Sequence, residues 1–182
     1  AAYALMHRKH HEHSDTDKDP HSPVSFNNWF KFMYKTRDEY ASFIDRVNQG
    51  KYTDKTLPRW PLIEKIGDSY ISRIGFALFY VLLYIIFAPT YWLLFLIPVH
   101  ILMGPIHGFI VNWFGHKRGY RNFDSINDNS KNTLPIDFLM MGELYQNNHH
   151  KLPTKLNFAV KWFEIDFGYQ MTIFLKKLKV IY

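Results

Sequence analysis

Residues 74–116, IGFALFYVLLYIIFAPTYWLLFLIPVHILMGPIHGFIVNWFGH, run for 43 positions without one Asp, Glu, Lys or Arg. A straight helix of that length would reach roughly 65 Å at about 1.5 Å per residue, twice the roughly 30 Å hydrocarbon core of a bilayer. The run is therefore expected to double back. Ala88-Pro89-Thr90 is its natural break, because proline lacks the amide hydrogen that a continuing helix needs. Two apolar spans of transmembrane length remain. Residues 79–87, Phe-Tyr-Val-Leu-Leu-Tyr-Ile-Ile-Phe, show no polar stripe, which argues against a half-buried helix pair in a soluble core.

Charge orients the pair. Arg73 precedes the run, Lys117, Arg118 and Arg121 follow it, and the connection between the spans carries no charge. A basic side chain at mid-bilayer costs about 2.5–3.5 kcal/mol, and positive loops stay on the cytoplasmic side. The expected fold is an all-α membrane protein. Its transmembrane helical hairpin covers 74–116, and a cytoplasmic helical cap is built from 1–73 and 117–182. This brings His7-Arg8-Lys9-His10-His11 and Gln146-Asn147-Asn148-His149-His150 to one side of the membrane.

The 182 residues suffice for one domain. A formal charge of +6 and 18% aromatic residues suit a membrane surface with its anionic headgroups. The Lys and Arg residues are scattered through the membrane-flanking loops and form no stripe, so nucleic acid is not expected as a partner. The absence of cysteine excludes disulfides, thiolate metal sites and thiol nucleophiles. The first residues lead from Ala1, without Met or a signal peptide, straight into a histidine cluster, as a segment from within a longer protein would.

Outside the apolar run, residues 7–23 read as the end of a helix followed by the turn Asp19-Pro20-His21-Ser22-Pro23. Residues 25–50 read as a surface helix, with Thr36 and Glu39 as a capping box and Tyr40, Phe43, Ile44 and Val47 on one face. Pro58, Trp60 and Pro61 suggest an interfacial approach to the first span. A polar loop is expected at 117–135 and a histidine-bearing helix at about 136–151. The tail, with Trp162, Phe163, Phe167 and Tyr169 followed by Lys176, Lys177 and Lys179, reads as an amphipathic surface segment.

His7, His10 and His11 stand at i, i+3 and i+4, which on a helix places three imidazoles on one face. Gln146, His149 and His150 repeat the spacing, and Asn112 and His116 stand at i, i+4 where the second span ends. Neutral imidazole is the commonest metal-binding side chain, and several converging rings suit Fe, Zn or Cu better than Mg or Ca. Asp15, Asp19 and Glu143 are candidates to accept the second ring N–H and fix the ligand tautomers. His13 and His21 read as loop or supporting residues. His100 and His107 lie inside the second span and are not counted as ligands. Asp15, Asp17 and Asp19 lack the glycine and terminal Glu of a calcium loop.

These motifs together resemble the membrane-bound fatty acid desaturases, the acyl-CoA or Δ9-type branch in a bacterial form. His7-Arg8-Lys9-His10-His11 with Asp15 and Asp19-Pro20-His21-Ser22-Pro23 matches that family's HRxHH…DPHSP box. Val111-Asn112-Trp113-Phe114-Gly115-His116 matches the segment in which an Asn, acting through water, and a His complete the metal sphere. Gly142-Glu143-Leu144-Tyr145-Gln146-Asn147-Asn148-His149-His150 matches the last box. The resemblance implies two irons held by His7, His10, His11, Asn112, His116, Gln146, His149 and His150. It implies lipid metabolism, with unsaturated fatty acids made by an O2-dependent oxidoreductase in the cytoplasmic membrane. The substrate would be a long acyl chain linked to CoA, lipid or carrier protein.

Two electrons would come from a donor of ferredoxin, rubredoxin or cytochrome b5 type, because the chain has neither cluster-ligating cysteines nor a dinucleotide fingerprint. Phe76, Tyr80 and Trp92 are candidates to line the acyl tunnel. Two departures from the family pattern stand out. Gln146 occupies a place where a His is usual, and the family's upstream HxxxxH box is missing, so this segment alone is expected to be an incomplete, inactive enzyme. The alternatives are a histidine-box membrane hydroxylase, which inserts oxygen, and a non-catalytic membrane metal-binding fragment.

Overall fold

A computed structural model describes residues 1–51, 56–57, 59–134 and 136–181. Among these, seven α-helices carry most of the chain: α1 (Ala2–His13), α2 (Trp29–Asn48), α3 (Pro61–Asp68), α4 (Tyr70–Phe87), α5 (Ile97–Lys117), α6 (Gln146–Lys151) and α7 (Phe167–Lys177). A 3-10 helix, Tyr91–Leu96, leads into α5. Two short strands, β1 (Ile136–Asp137) and β2 (Ile165–Asp166), pair in parallel, Ile136 with Ile165 and Asp137 with Asp166.

Two segments, Tyr70–Phe87 and Tyr91–Lys117, are long and apolar enough to cross a membrane. The break between them falls at Ala88-Pro89-Thr90, as the proline predicts. Their side chains point mostly outwards: Ile71, Phe87, Tyr91 and Trp92 are 85%, 74%, 88% and 77% exposed. A buried pair at the centre of a soluble core is therefore not what the chain forms. Phe76 and Trp92, expected to line an enclosed tunnel, also face outwards. Tyr80 instead stacks on His100 at 5.1 Å between ring centres, and the Tyr84 hydroxyl lies 2.7 Å from His100 Nε2, joining α4 to α5.

The packed core lies where α1 meets α2. Leu5 and Met6 are buried with Ala2 against Phe43 and Val47, and Tyr40 and Ile44 close the edge. The face predicted for residues 25–50 is thus the one that packs. Its start differs from the expectation, because Asn28 caps α2 by accepting the Phe30 and Lys31 amides. Thr36 sits inside the helix with its hydroxyl buried and unpartnered, so the Thr36–Glu39 capping box does not form. Trp60 and Pro61 open α3, while Pro58 lies outside the described residues.

The helix expected over 136–151 is much shorter. The Asp137 carboxylate takes the amides of Met140, Gly142 and Leu144, which winds 138–145 into turns. Met141 and Gly142 accordingly adopt φ of 56° and 94°. Only α6 remains helical, with Gly115 letting it approach α5 and Gly119 letting the loop at Asn132 lie against the end of α5. A Cβ on Gly115 would stand 2.4 Å from Gln146 Cγ, and one on Gly119 (φ 130°) would stand 2.1 Å from the Asn132 carbonyl oxygen.

Behind α6, the Glu164 carboxylate accepts from Tyr120 (2.6 Å), Asn122 (2.7 Å) and Asn148 (2.9 Å), and from the backbone amides of Val160 and Lys161. Asn132 and Asn147, both fully buried, tie the same helix to the loop after α5. A polar, hydrogen-bonded foundation of this kind leaves little freedom to the residues of α6, and it fixes where His149 and His150 point.

Candidate metal centre

The end of α1, the end of α5 and the whole of α6 converge. Six histidines from these three helices form two groups, each with its potential ligand atoms within 4.8 Å of one another: His7, His11 and His149 in the first, His10, His116 and His150 in the second. Helical spacing explains the division on α1. His7 and His11, one turn apart, turn to one group, while His10 faces the other.

The first group is a triangle of Nε2 atoms, with sides of 3.1 Å (His7–His149), 3.1 Å (His7–His11) and 2.9 Å (His11–His149). Hydrogen bonding alone cannot satisfy it. A ring nitrogen that carries hydrogen donates, one without hydrogen accepts, and three mutual neighbours cannot all alternate. At least one side must set like against like. A metal ion removes the conflict, because three nitrogens on perpendicular bonds of about 2.1 Å lie about 3.0 Å apart.

The second group is arranged differently. His10, His116 and His150 each direct Nδ1 at a carboxylate oxygen: Asp19 at 2.8 Å, Asp15 at 2.9 Å and Asp128 at 2.7 Å. With the ring hydrogen at Nδ1, each neutral imidazole presents an Nε2 lone pair. The ring centres form a triangle with every side 4.9 Å. His10 and His150 bring their Nε2 atoms to 3.2 Å, and His116 Nε2 is buried with no partner. Lone pairs facing one another around a common point are the arrangement a cation resolves, with the carboxylates fixing the tautomers behind it.

Burial keeps five of the six rings, those of His7, His10, His11, His149 and His150, neutral. Burial, and then the like charge of neighbouring imidazoles, lowers His7 to about 4, His149 to about 3 and His11 to about 2. Burial pushes His10 well below its ordinary value and also lowers His150, against the opposing pull of Asp128. For Asp15 and Asp128, burial is the largest single influence and raises the carboxyl, but hydrogen bonds from His116, Ser22 and Asn129 to Asp15 and from His150 and Ser130 to Asp128, with the attraction of the two imidazoles, together outweigh it and hold both below the usual carboxylate range. Burial pushes Asp19 up to about 6, partly offset by the His21 and Asp15 amides. Near pH 7 His7, His10, His11, His149 and His150 are therefore unprotonated, as metal ligation requires.

The two amides of the predicted site lie close by. Asn112, buried one turn before His116, donates from Nδ2 to the Gly108 carbonyl at 2.8 Å. Gln146, buried with its stem over Gly115, donates from Nε2 to the Glu143 carbonyl at 2.9 Å. Neither belongs to the two histidine triangles. Of the three carboxylates expected behind the ligands, Asp15 and Asp19 are in place. The third is Asp128 rather than Glu143, whose backbone oxygen, not its carboxylate, meets Gln146.

Asp128 was missed because it lies in a polar loop 22 residues from His150, with no local spacing to mark it. His21 is more deeply placed than its reading as a loop residue suggested. It is 2% exposed, its ring meets His10 edge-on at 4.5 Å, and its Nε2 has no partner. His13 lies off to the side, with Nε2 3.4 Å from Lys9 Nζ.

Comparison with known proteins bears on this geometry. The family model for fatty acid desaturase matches residues 1–171. The chain is 28% identical to a hex-5-enoyl-[acyl-carrier protein] acetylenase of Moorena producens (strain JHB), covering 100% of this chain and 60% of that protein. It is 29% identical to an sn-1 stearoyl-lipid 9-desaturase of Anabaena variabilis, over 94% of this chain and 60% of the relative. With Delta-9 acyl-lipid desaturase 1 of Arabidopsis thaliana it shares 24% identity, over 96% of this chain and 55% of the relative. The chain thus spans 55–60% of the length of these relatives. No solved structure matches it. The chain belongs to the fatty acid desaturase family.

Proposed function

We propose that this chain carries most of the metal centre of a membrane fatty acyl desaturase. The whole protein would convert –CH2–CH2– of a long acyl chain into –CH=CH–, with O2, two electrons and two protons consumed and two waters formed. The observation that carries the reading is the pair of all-histidine triangles, one of them backed by three carboxylates. Iron, when bound, supplies the oxidising power needed to take hydrogen from an unactivated methylene, which redox-inert zinc lacks.

The chain's own residues do the rest. His7, His11 and His149 hold one ion, and His10, His116 and His150 hold the other. Asn112 and Gln146 complete the sphere directly or through water, so the Gln in place of a usual His weakens one position. Asp15, Asp19 and Asp128 keep the Nδ1 hydrogens and leave each Nε2 free to bind. Relatives named for acyl-lipid and acyl-carrier-protein substrates support a fatty acyl substrate. Electrons come from a small donor protein of ferredoxin, rubredoxin or cytochrome b5 type, because the chain has no cysteine to hold an iron–sulfur cluster.

In a bacterial cytoplasmic membrane, α4 and α5 cross as a hairpin, with the histidines on the cytoplasmic side. Basic residues at both outer ends and an uncharged link support this orientation. The chain has no natural cysteine, so Thr90→Cys reports the sidedness cleanly. Labelling only from the non-cytoplasmic side is expected, and labelling only from the cytoplasm would refute the hairpin. The chemistry is tested on the natural full-length protein, supplied with reductant and oxygen, by the mass of the acyl product. Loss of two hydrogens is expected, whereas gain of one oxygen would identify a hydroxylase instead.

A further inference from the structure

The two histidine triangles differ in what stands behind them. In the second, the Nδ1 atoms of His10, His116 and His150 meet three carboxylates whose side chains are 0%, 3% and 4% exposed. In the first, among the described residues, no carboxylate takes a hydrogen from His7, His11 or His149, and His149 Nδ1 is buried without any partner. A carboxylate behind a metal-binding imidazole raises its basicity and locks its orientation, and losing one such partner typically costs about 10–100-fold in metal affinity. The three negative charges also offset a dication directly. The first triangle has neither advantage.

Two of the three carboxylates depend on one guanidinium. Arg121, which the sequence suggests only as a charge flanking the membrane, turns back into the loop that follows it. Its Nη1 donates to the carbonyls of Asp128 (2.7 Å) and Ser130 (3.1 Å), and its Nη2 to those of Phe123 (3.2 Å) and Ile126 (2.9 Å). The loop so fastened presents the Asp128 carboxylate to His150. It also sends the Asn129 amide to Asp15 Oδ2 at 2.7 Å, the same oxygen that accepts from His116. Ser130 pins Asp128 further through its amide (2.9 Å) and hydroxyl (2.5 Å). A lysine offers a single point of charge and cannot reproduce a planar fork that reaches four carbonyls.

We infer that the two metal positions are unequal: the one framed by His10, His116 and His150 fills first and holds its ion more tightly, and Arg121 is the positioning residue that sets this order. The inference rests on the metal-binding reading above and adds a sequence of loading to it. Stepwise filling gives the assembled site one strongly held ion and one more exchangeable ion.

The test is titration of metal-free, full-length protein in detergent with Co(II), followed by its visible absorption and by bound cobalt per chain. Two steps are expected, separated at least tenfold in affinity, with His116→Ala removing the tighter and His11→Ala the weaker. Asp128→Asn, which keeps the side chain's shape, and Arg121→Lys should weaken the tighter step about 10–100-fold and leave the other unchanged. Equal affinities in the parent protein, or equal weakening of both steps by Asp128→Asn, would overturn the inference. If the parent binds no cobalt at all, the metal-binding reading itself fails.

Discussion

His116→Ala is expected to remove desaturated product, leaving below about one per cent of the parent rate, because losing even an outer partner of a metal ligand costs about 10–100-fold. His116 is 2% exposed, and it places a buried, unpartnered Nε2 among the ring nitrogens of the second triangle. Alanine also leaves the Asp15 carboxylate without the ring hydrogen it accepts at 2.9 Å. A general loss of packing is separated from a loss of ligation by two controls. His116→Gln fills much of the space yet should stay inactive, and His13→Ala, which removes an imidazole outside both triangles, should retain activity. Product yields near the parent's in His116→Ala would show that α5 contributes nothing to the centre.

The largest effect on stability is expected at Glu164, which bonds none of the six histidines itself. Its buried carboxylate accepts from Tyr120, Asn122 and Asn148 and from the amides of Val160 and Lys161. Burial raises this carboxyl, but the Tyr120 hydrogen bond and the amides outweigh it, so the group stays ionised below the usual range. Glu164→Ala strands several donors in the interior, each costing about 1–3 kcal/mol when left unmade. Allowing for rearrangement, the loss should come to about 3–5 kcal/mol, the scale for breaking a buried charged network.

Asn148 is one of those donors, so α6 loosens and carries His149 and His150 with it. Glu164→Gln should fall between the parent and Glu164→Ala, since it keeps one acceptor oxygen but turns an amide hydrogen towards other donors. Thermal unfolding in detergent measures both. A change within about 0.5 kcal/mol, the range of ordinary surface substitutions, would contradict this account of what holds α6.

What was legible in the sequence was what depends on local periodicity. The placement of His7, His10 and His11 on α1 and of Asn112 and His116 at the end of α5, the apolar face of residues 40–47 and the break at Pro89 follow from helix geometry, although α1 divides its three imidazoles between two groups and Asn112 enters neither. Features that depend on distant partners were not legible. Asp128 reaches His150 from a loop that Arg121 and Ser130 fasten, and no pattern in that Asn- and Asp-rich stretch distinguishes it from Asp124. The helix expected from 136 was cut short by Asp137, whose one carboxylate captures three following amides and diverts the chain. A capping box at Thr36 looked sound by residue type. Asn28, eight positions earlier, had already capped the helix, and Thr36 was left in its interior. Carboxylates behind the histidines were expected, and two of the three were named, because Asp15 and Asp19 lie within one short turn of the histidines of α1.

On the proposed reading, six histidines from α1, α5 and α6 build two metal positions rather than one packed histidine core. Iron content per chain, measured on full-length protein purified from membranes grown with iron, tests it most directly. The account predicts two irons in the parent, about one in His7→Ala and about one in His150→Ala. An iron content that neither substitution lowers would contradict it.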